Sequence, residues 1–166
     1  MSTENISPVV TDNLEWLPLL LPGSDGIYVK VLRVEENIGR VVAKVKFSQN
    51  SSAPRHYHFC QAVAYTISGS WEYDEGKFNV GDVAVEPVGN LHQATSTEGT
   101  EMLLVFDTDS IHGHLLDNCY PDGSVIRIGV SLFKQLEGKS MADIATFDPT
   151  PYIEFFSSYS AAEDSH

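Results

Sequence analysis

The chain has 166 residues, 23 acidic against 10 basic side chains, a formal net charge of −13 and a pI near 4.6. That is the length of one globular domain, and its field repels phosphate backbones and anionic lipid surfaces, so neither nucleic acid nor membrane is an expected partner. No run approaches the roughly 18 consecutive apolar residues of a membrane span, and Met1-Ser2-Thr3-Glu4-Asn5 has neither the basic nor the apolar region of an export signal. A cytoplasmic protein is expected.

In chain order, residues 1–13 are polar and aperiodic and read as an N-terminal tail. Residues 14–147 break into short β-type runs: Ile27 to Val34, Arg40 to Phe47, Gln61 to Ser68, Ser70 to Tyr73, Lys77 to Val80, Val83 to Glu86, Gln93 to Ser96, Met102 to Phe106 and Ser124 to Ile128. Between them lie Gly23-Ser24-Asp25-Gly26, Ser68-Gly69-Ser70, Asp74-Glu75-Gly76, Pro87-Val88-Gly89-Asn90 and Pro121-Asp122-Gly123, which supply the φ values tight turns need. Many short strands with regular turns predict an all-β sandwich or barrel. Val42 to Phe47 alternates apolar and polar residues, as in a sheet with one face on a core and one in water. One short helix is expected around Ser131 to Leu136 and a turn near Met141 to Ala145. Residues 148–166 form a C-terminal extension in which Tyr152, Ile153, Phe155 and Phe156 are apolar enough to dock on the barrel or across an interface. Cys60 and Cys119 are expected to be reduced thiols, since two cysteines make no disulfide scaffold.

Arg55-His56-Tyr57-His58 places two histidines at i and i+2, on one face of an extended backbone. Two imidazoles side by side offer a divalent metal two cis positions. Downstream, the segment Gly81 to His92 starts a strand after glycine, turns at Pro87-Val88-Gly89 and presents His92 at the next strand, a third candidate ligand. A second pair, His112-Gly113-His114, has glycine between its rings and polar flanks, which suits a flexible loop better than a strand.

These residues resemble the motifs of the cupin superfamily. Gly81, Pro87, Gly89 and His92 match the second motif at every defining position; His56, His58 and Gly69 match the first, with Asn50 in place of its opening glycine and Ala62 in place of its glutamate. Ser96 stands where an asparagine often follows the second motif. Ala64 to Tyr73 and Glu86 to His92 are similar to the group typified by 2,4'-dihydroxyacetophenone dioxygenase, with acetylacetone dioxygenase and the ChrR-like cupin domain of anti-sigma factors as further relatives; the resemblance spans about residues 14 to 137. It implies a single jelly-roll barrel, a double-stranded β-helix with little helix, and His56, His58 and His92 as metal ligands. Glu75 matches a glutamate that joins the metal in that group, and equally reads as an exposed turn carboxylate. Glu86 is the alternative carboxylate, either a fourth ligand in place of Glu75 or a group that orients a ligand histidine.

Three neutral imidazoles leave a divalent ion its full charge and open positions for a chelating substrate and dioxygen. The resemblance therefore implies a non-haem Fe(II) dioxygenase that cleaves a C–C bond in an enolisable ketone, a hydroxyacetophenone or a β-diketone, with O2 as co-substrate. Zn2+, Ni2+ and Cu2+ would outcompete Fe2+ by intrinsic affinity, so the metal found on purification need not be the working one. Tyr65 and Trp71 are candidates for the pocket wall, with Tyr57 and Phe106, each equally a barrel-core residue. The alternatives are a non-catalytic metal-binding cupin that senses a small molecule, and a cupin isomerase or structural protein with a vestigial site. Cupins commonly pair, and a homodimer is expected. Residues 72 to 122 hold eleven acids against Lys77 alone, which favours a neutral ketone that ionises only once bound.

Overall fold

A computed structural model describes residue 6 and residues 8–165. In chain order the strands are β1 (Leu17–Pro18), β2 (Ile27–Glu35), β3 (Arg40–Phe47), β4 (Ser51–Ser52), β5 (Arg55–His58), β6 (Gln61–Tyr73) and β7 (Gly76–Asn79). They continue with β8 (Val83–Glu86), β9 (Leu91–His92), β10 (Thr95–Ser96), β11 (Thr100–Asp107), β12 (His114–Cys119), β13 (Val125–Gly129) and β14 (Ile153–Phe156). The helices are α1 (Val130–Leu136), α2 (Met141–Ile144) and α3 (Tyr159–Glu163). One sheet runs β1-β2-β3-β11-β6-β10-β4, with β7 and β8 also paired to β6; the other runs β14-β13-β12-β5-β9. The pairings are antiparallel throughout, so the expected all-β architecture is the one observed.

Alternation builds the interior. On β6, Ala62, Ala64 and Thr66 are buried while Val63, Tyr65 and Ile67 face outward, and on β3 Val41, Ala43 and Phe47 are buried between half-exposed neighbours. One buried cluster joins Val29, Val41, Phe106, Leu116, Ile128 and Phe133; another gathers Ile27, Phe47, Trp71 and Met102. In α1, buried Leu132, Phe133 and Leu136 lie at the i, i+1, i+4 spacing of one helical face.

Two features differ from the sequence reading. The two runs expected on either side of Gly69 are one 13-residue strand, β6. Gly69 sits at φ +66°, and a Cβ there would lie 1.9 Å from the Gly99 carbonyl oxygen; the pairing with β11 slips at Glu101/Met102. A turn signal in the sequence is thus a glycine bulge inside a strand. His114, expected in a flexible loop, opens β12, whose residues His114 to Asn118 are all buried, so β12 lacks the alternation that marks a half-exposed strand.

The C-terminal segment docks on its own barrel. β14 pairs with β13, and Arg127, 1% exposed, holds the layers together. Its guanidinium bonds both Asp117 carboxylate oxygens (2.8 and 2.9 Å) and the Ala162 carbonyl (3.1 Å), and lies between the rings of Phe59 and Phe156. At the other end Thr11–Asn13 forms a 3-10 turn whose Thr11 carbonyl accepts from Lys30 Nζ, and Trp16 lies under the ammonium groups of Lys30, Lys44 and Lys46. The rest of the expected N-terminal tail, Met1 to Asn5 and Ser7, lies outside the described residues.

Candidate metal centre

β5 is short and carries two inward residues, His56 and His58, between outward Arg55 and Tyr57. Its register on β12 puts His56 opposite Asn118 and His58 opposite Leu116; on its other side His56 faces His92 of β9. The turn Pro87-Val88-Gly89-Asn90 clamps β9 to β5: Gly89 N–H donates to the His58 carbonyl (2.8 Å), and His58 N–H donates to the Asn90 carbonyl (2.9 Å). Gly89 adopts φ +87°, a conformation that favours glycine. That turn converts a separation of 34 residues into contact between rings.

His56, His58 and His92 are all buried, and their ligating atoms lie within 4.8 Å of one another; among the described residues they are the one His/Cys/Asp/Glu group gathered closely enough to hold an ion. His58 Nε2 and His92 Nε2 are 3.0 Å apart, and His92 Nε2 and His56 Nε2 3.2 Å. Metal–nitrogen bonds near 2.1 Å meeting at right angles would space the nitrogens by about 3.0 Å, and a tetrahedron by about 3.4 Å. The two observed separations fall within the range that lets neighbouring imidazoles share one divalent ion. His56 Nδ1 donates to the Pro54 carbonyl (2.8 Å), which leaves its Nε2 lone pair for the centre. Burial lowers the pKa of all three: His58 to about 3, with the neighbouring imidazoles adding to the effect, His92 to about 4, and His56 in the same direction. Near neutrality they are uncharged and able to ligate.

Glu86 is buried beside this cluster, its Oε2 3.7 Å from His58 Nε2. Tyr73 donates its hydroxyl to Glu86 Oε1 and stacks on the His92 ring at 3.8 Å between centroids. Burial raises the Glu86 pKa against the opposing effect of the tyrosine hydrogen bond, and burial followed by the Glu86 charge raises that of Tyr73. Tyr73 was not singled out from sequence as a site residue, although it ends the Ala64 to Tyr73 stretch that carries the resemblance. Asn118, also inward, escaped notice because its strand did.

A cavity of about 110 Å3 opens beside His56 and His58, walled by Ile27, Phe47, Trp71, Met102 and Phe106, with Glu86, Tyr73 and Asn118 as polar members. Trp71 is fixed by a hydrogen bond from Nε1 to Thr66 Oγ1 (2.9 Å). Tyr65, expected as pocket wall, lies instead on the outer face of β6, where alternation puts every second residue. Tyr57 is also outward, stacked edge-on against Phe59. Glu75 is exposed and outside the histidine cluster, in a separate polar pocket with Arg55, Glu72, Asp74 and the outer side of His92. His114 is buried with Nε2 3.4 Å from Glu154 Oε1, and exposed His112 lies beside it; neither joins the cluster. Cys60 and Cys119 are both free thiols.

Solved structures resembling this one include proteins described as cupins and as acetylacetone dioxygenases. A protein of unknown function with a cupin-like fold from Ralstonia eutropha is 28% identical over 63% of this chain and 74% of that one, with a TM-score of 0.56. A protein assigned as an acetylacetone dioxygenase from Methylibium petroleiphilum gives 23% identity, 78% and 92% coverage and a TM-score of 0.65. An acetylacetone dioxygenase from Acinetobacter johnsonii gives 20%, 78% and 87%, and 0.62. No curated protein matches. The family model described as the ChrR cupin-like domain matches residues 7–110, more than half of the sequence, and the chain belongs to that family of the cupin superfamily.

Proposed function

We propose that the protein is an Fe(II)-dependent dioxygenase that cleaves a C–C bond in a small, neutral, enolisable ketone of the β-diketone or α-hydroxyketone type. The observation that carries this reading is the junction of a buried three-histidine cluster with an apolar cavity and a buried carboxyl. A bound Fe(II) would supply the charge that favours the enolate and a site at which dioxygen can react. Glu86 is placed to take the acidic C–H proton, since a buried carboxylate with a raised pKa is a stronger base than one in water. Tyr73 holds Glu86 in position through its hydroxyl. Trp71, Phe106 and Met102 exclude water and accept the carbon skeleton. A cavity of about 110 Å3 is smaller than the apolar cavity of about 150 Å3 that accommodates benzene, which favours a compact acyclic ketone over an aromatic one.

The family match favours a second reading, a metal-bearing cupin that senses a small molecule without turnover. Oxygen consumption separates them. Protein reconstituted anaerobically with Fe(II) is expected to consume about one O2 per pentane-2,4-dione cleaved; binding of diketone with no oxygen uptake from any enolisable ketone favours the sensor.

A further inference from the structure

Two polar side chains of the barrel cavity have no part in the histidine cluster or the Glu86–Tyr73 pair. Ser24, in the connection between β1 and β2, is 3% exposed, and its Oγ has no hydrogen-bond partner among the described residues. The backbone around it is engaged: Ser24 N–H donates to the Leu21 carbonyl (3.2 Å), and the Ser24 carbonyl accepts from Ile27 N–H (3.0 Å), so the turn fixes where the hydroxyl stands. Asn118, also buried, is the other. Both line the cavity bordered by His56 and His58, and they share one end of it. A side chain at Gly23 would meet Pro54 Cγ at 3.4 Å and the Tyr120 ring at 3.6 Å, and Pro54 and Tyr120 each stand two residues from the paired His56 and Asn118. Tyr120 donates its hydroxyl to the Pro22 carbonyl (2.9 Å), which ties this turn to the end of β12. The buried hydroxyls of Thr66, Ser96 and Thr100 all have protein partners. A hydroxyl buried without one is costly, and at a cavity wall a ligand is what would satisfy it.

We propose that Ser24 and Asn118 form a polar subsite for an uncharged hydroxyl group on the carbon skeleton of the substrate, so that the enolisable ketone is a hydroxylated one. The inference rests on the ketone-cleaving reading above, which sets the two chelating oxygens at the histidines. An alcohol both donates and accepts, and so does each member of the subsite: the serine hydroxyl has one proton and two lone pairs, the asparagine amide one carbonyl and two N–H groups. A carboxylate is a poor occupant. The cavity wall holds no lysine or arginine, and its one acidic side chain, Glu86, would repel a second negative charge. A methyl group in place of the hydroxyl would leave Ser24 Oγ unpaired, and a site built around a hydroxyl discriminates on that ground. The subsite thus selects by polarity among ketones of one size.

The test is anaerobic spectrophotometric titration of the Fe(II)-loaded protein with diketones matched in size and differing only in OH against CH3. The pairs are 1-hydroxypentane-2,4-dione with hexane-2,4-dione, and 6-hydroxyhexane-2,4-dione with heptane-2,4-dione. Wild type is expected to bind the hydroxylated member of at least one pair about tenfold more tightly, and Ser24→Ala to erase that preference. Chemical denaturation of the iron-free protein supplies a second readout: Ser24→Ala is expected to raise the midpoint, because it removes an unpaired buried hydroxyl. Equal affinities within both pairs, or binding of neither hydroxylated diketone, would overturn the subsite while ketone binding stands. A preference that survives in Ser24→Ala would overturn it as well, and so would a lowered midpoint, which would show that the hydroxyl is held by a structural partner such as water. Failure of pentane-2,4-dione itself to bind would overturn the ketone-cleaving reading, and the subsite with it.

Discussion

Glu86 faces two demands at once: it accepts the Tyr73 hydroxyl, and its other oxygen lies 3.7 Å from His58 Nε2 in a site largely closed to water. Glu86→Gln keeps the volume and an acceptor for Tyr73 but removes the base. Metal content is expected to stay at the wild-type level while kcat falls about a hundredfold, read by oxygen uptake at saturating diketone. Unchanged turnover would remove Glu86 from the proton transfer. The three imidazoles show how a bland residue type becomes a site: His56 is tied through Nδ1 to Pro54, and all three turn their Nε2 atoms toward one point. The spacing of His56 and His58 made that face legible from the sequence. The place of Tyr73 was not, because it depends on β6 running unbroken past Gly69.

At the scale of elements, the strands with one wet face were readable, and of the two covered on both faces β13 was found within a residue while β12 was not. β2, β3 and β8 alternate, and their observed bounds lie within a residue of the expected ones. β12 and β13 are buried on both sides because the C-terminal segment covers them, and β12 was read as loop. The cover depends on Arg127, whose Asp117 partner is also buried. Arg127→Ala leaves the Asp117 carboxylate buried and unpaired, a loss of about 3 to 5 kcal/mol. Chemical denaturation is expected to show it, and hydrogen exchange to show β14 and α3 opening before the barrel. Equal exchange in variant and wild type would mean that the segment is held by its strand pairing and ring contacts instead. Replacing both Arg127 and Asp117 by apolar residues is expected to recover most of the loss, since a buried pair is costly chiefly when broken.

Across the whole molecule, charge and burial combine in the response to acid. Unfolded, the three site histidines take up protons near pH 6.5; folded and metal-free, His92 resists until about pH 4 and His58 until about pH 3. The unfolded chain therefore binds more protons through that window, and stability of the metal-free protein is expected to fall as pH drops from 6.5 toward 4. Glu86, raised by burial, acts oppositely above its ordinary value and offsets part of the slope. Thermal melts across pH 7 to 4 check this; a flat profile would show that the imidazoles are solvated. The acidic net charge, by contrast, bears on which partners are expected and says nothing about the interior, where the three histidines and Glu86 are buried.

The central claim is that His56, His58 and His92 together hold one metal ion. X-ray absorption on Fe(II)-loaded protein, with metal analysis of two variants, addresses it directly. One iron per chain is expected, with nitrogen neighbours at about 2.1 Å, loss of the metal in His58→Ala and full retention in His112→Ala. Iron bound as well by His58→Ala as by wild type would contradict it.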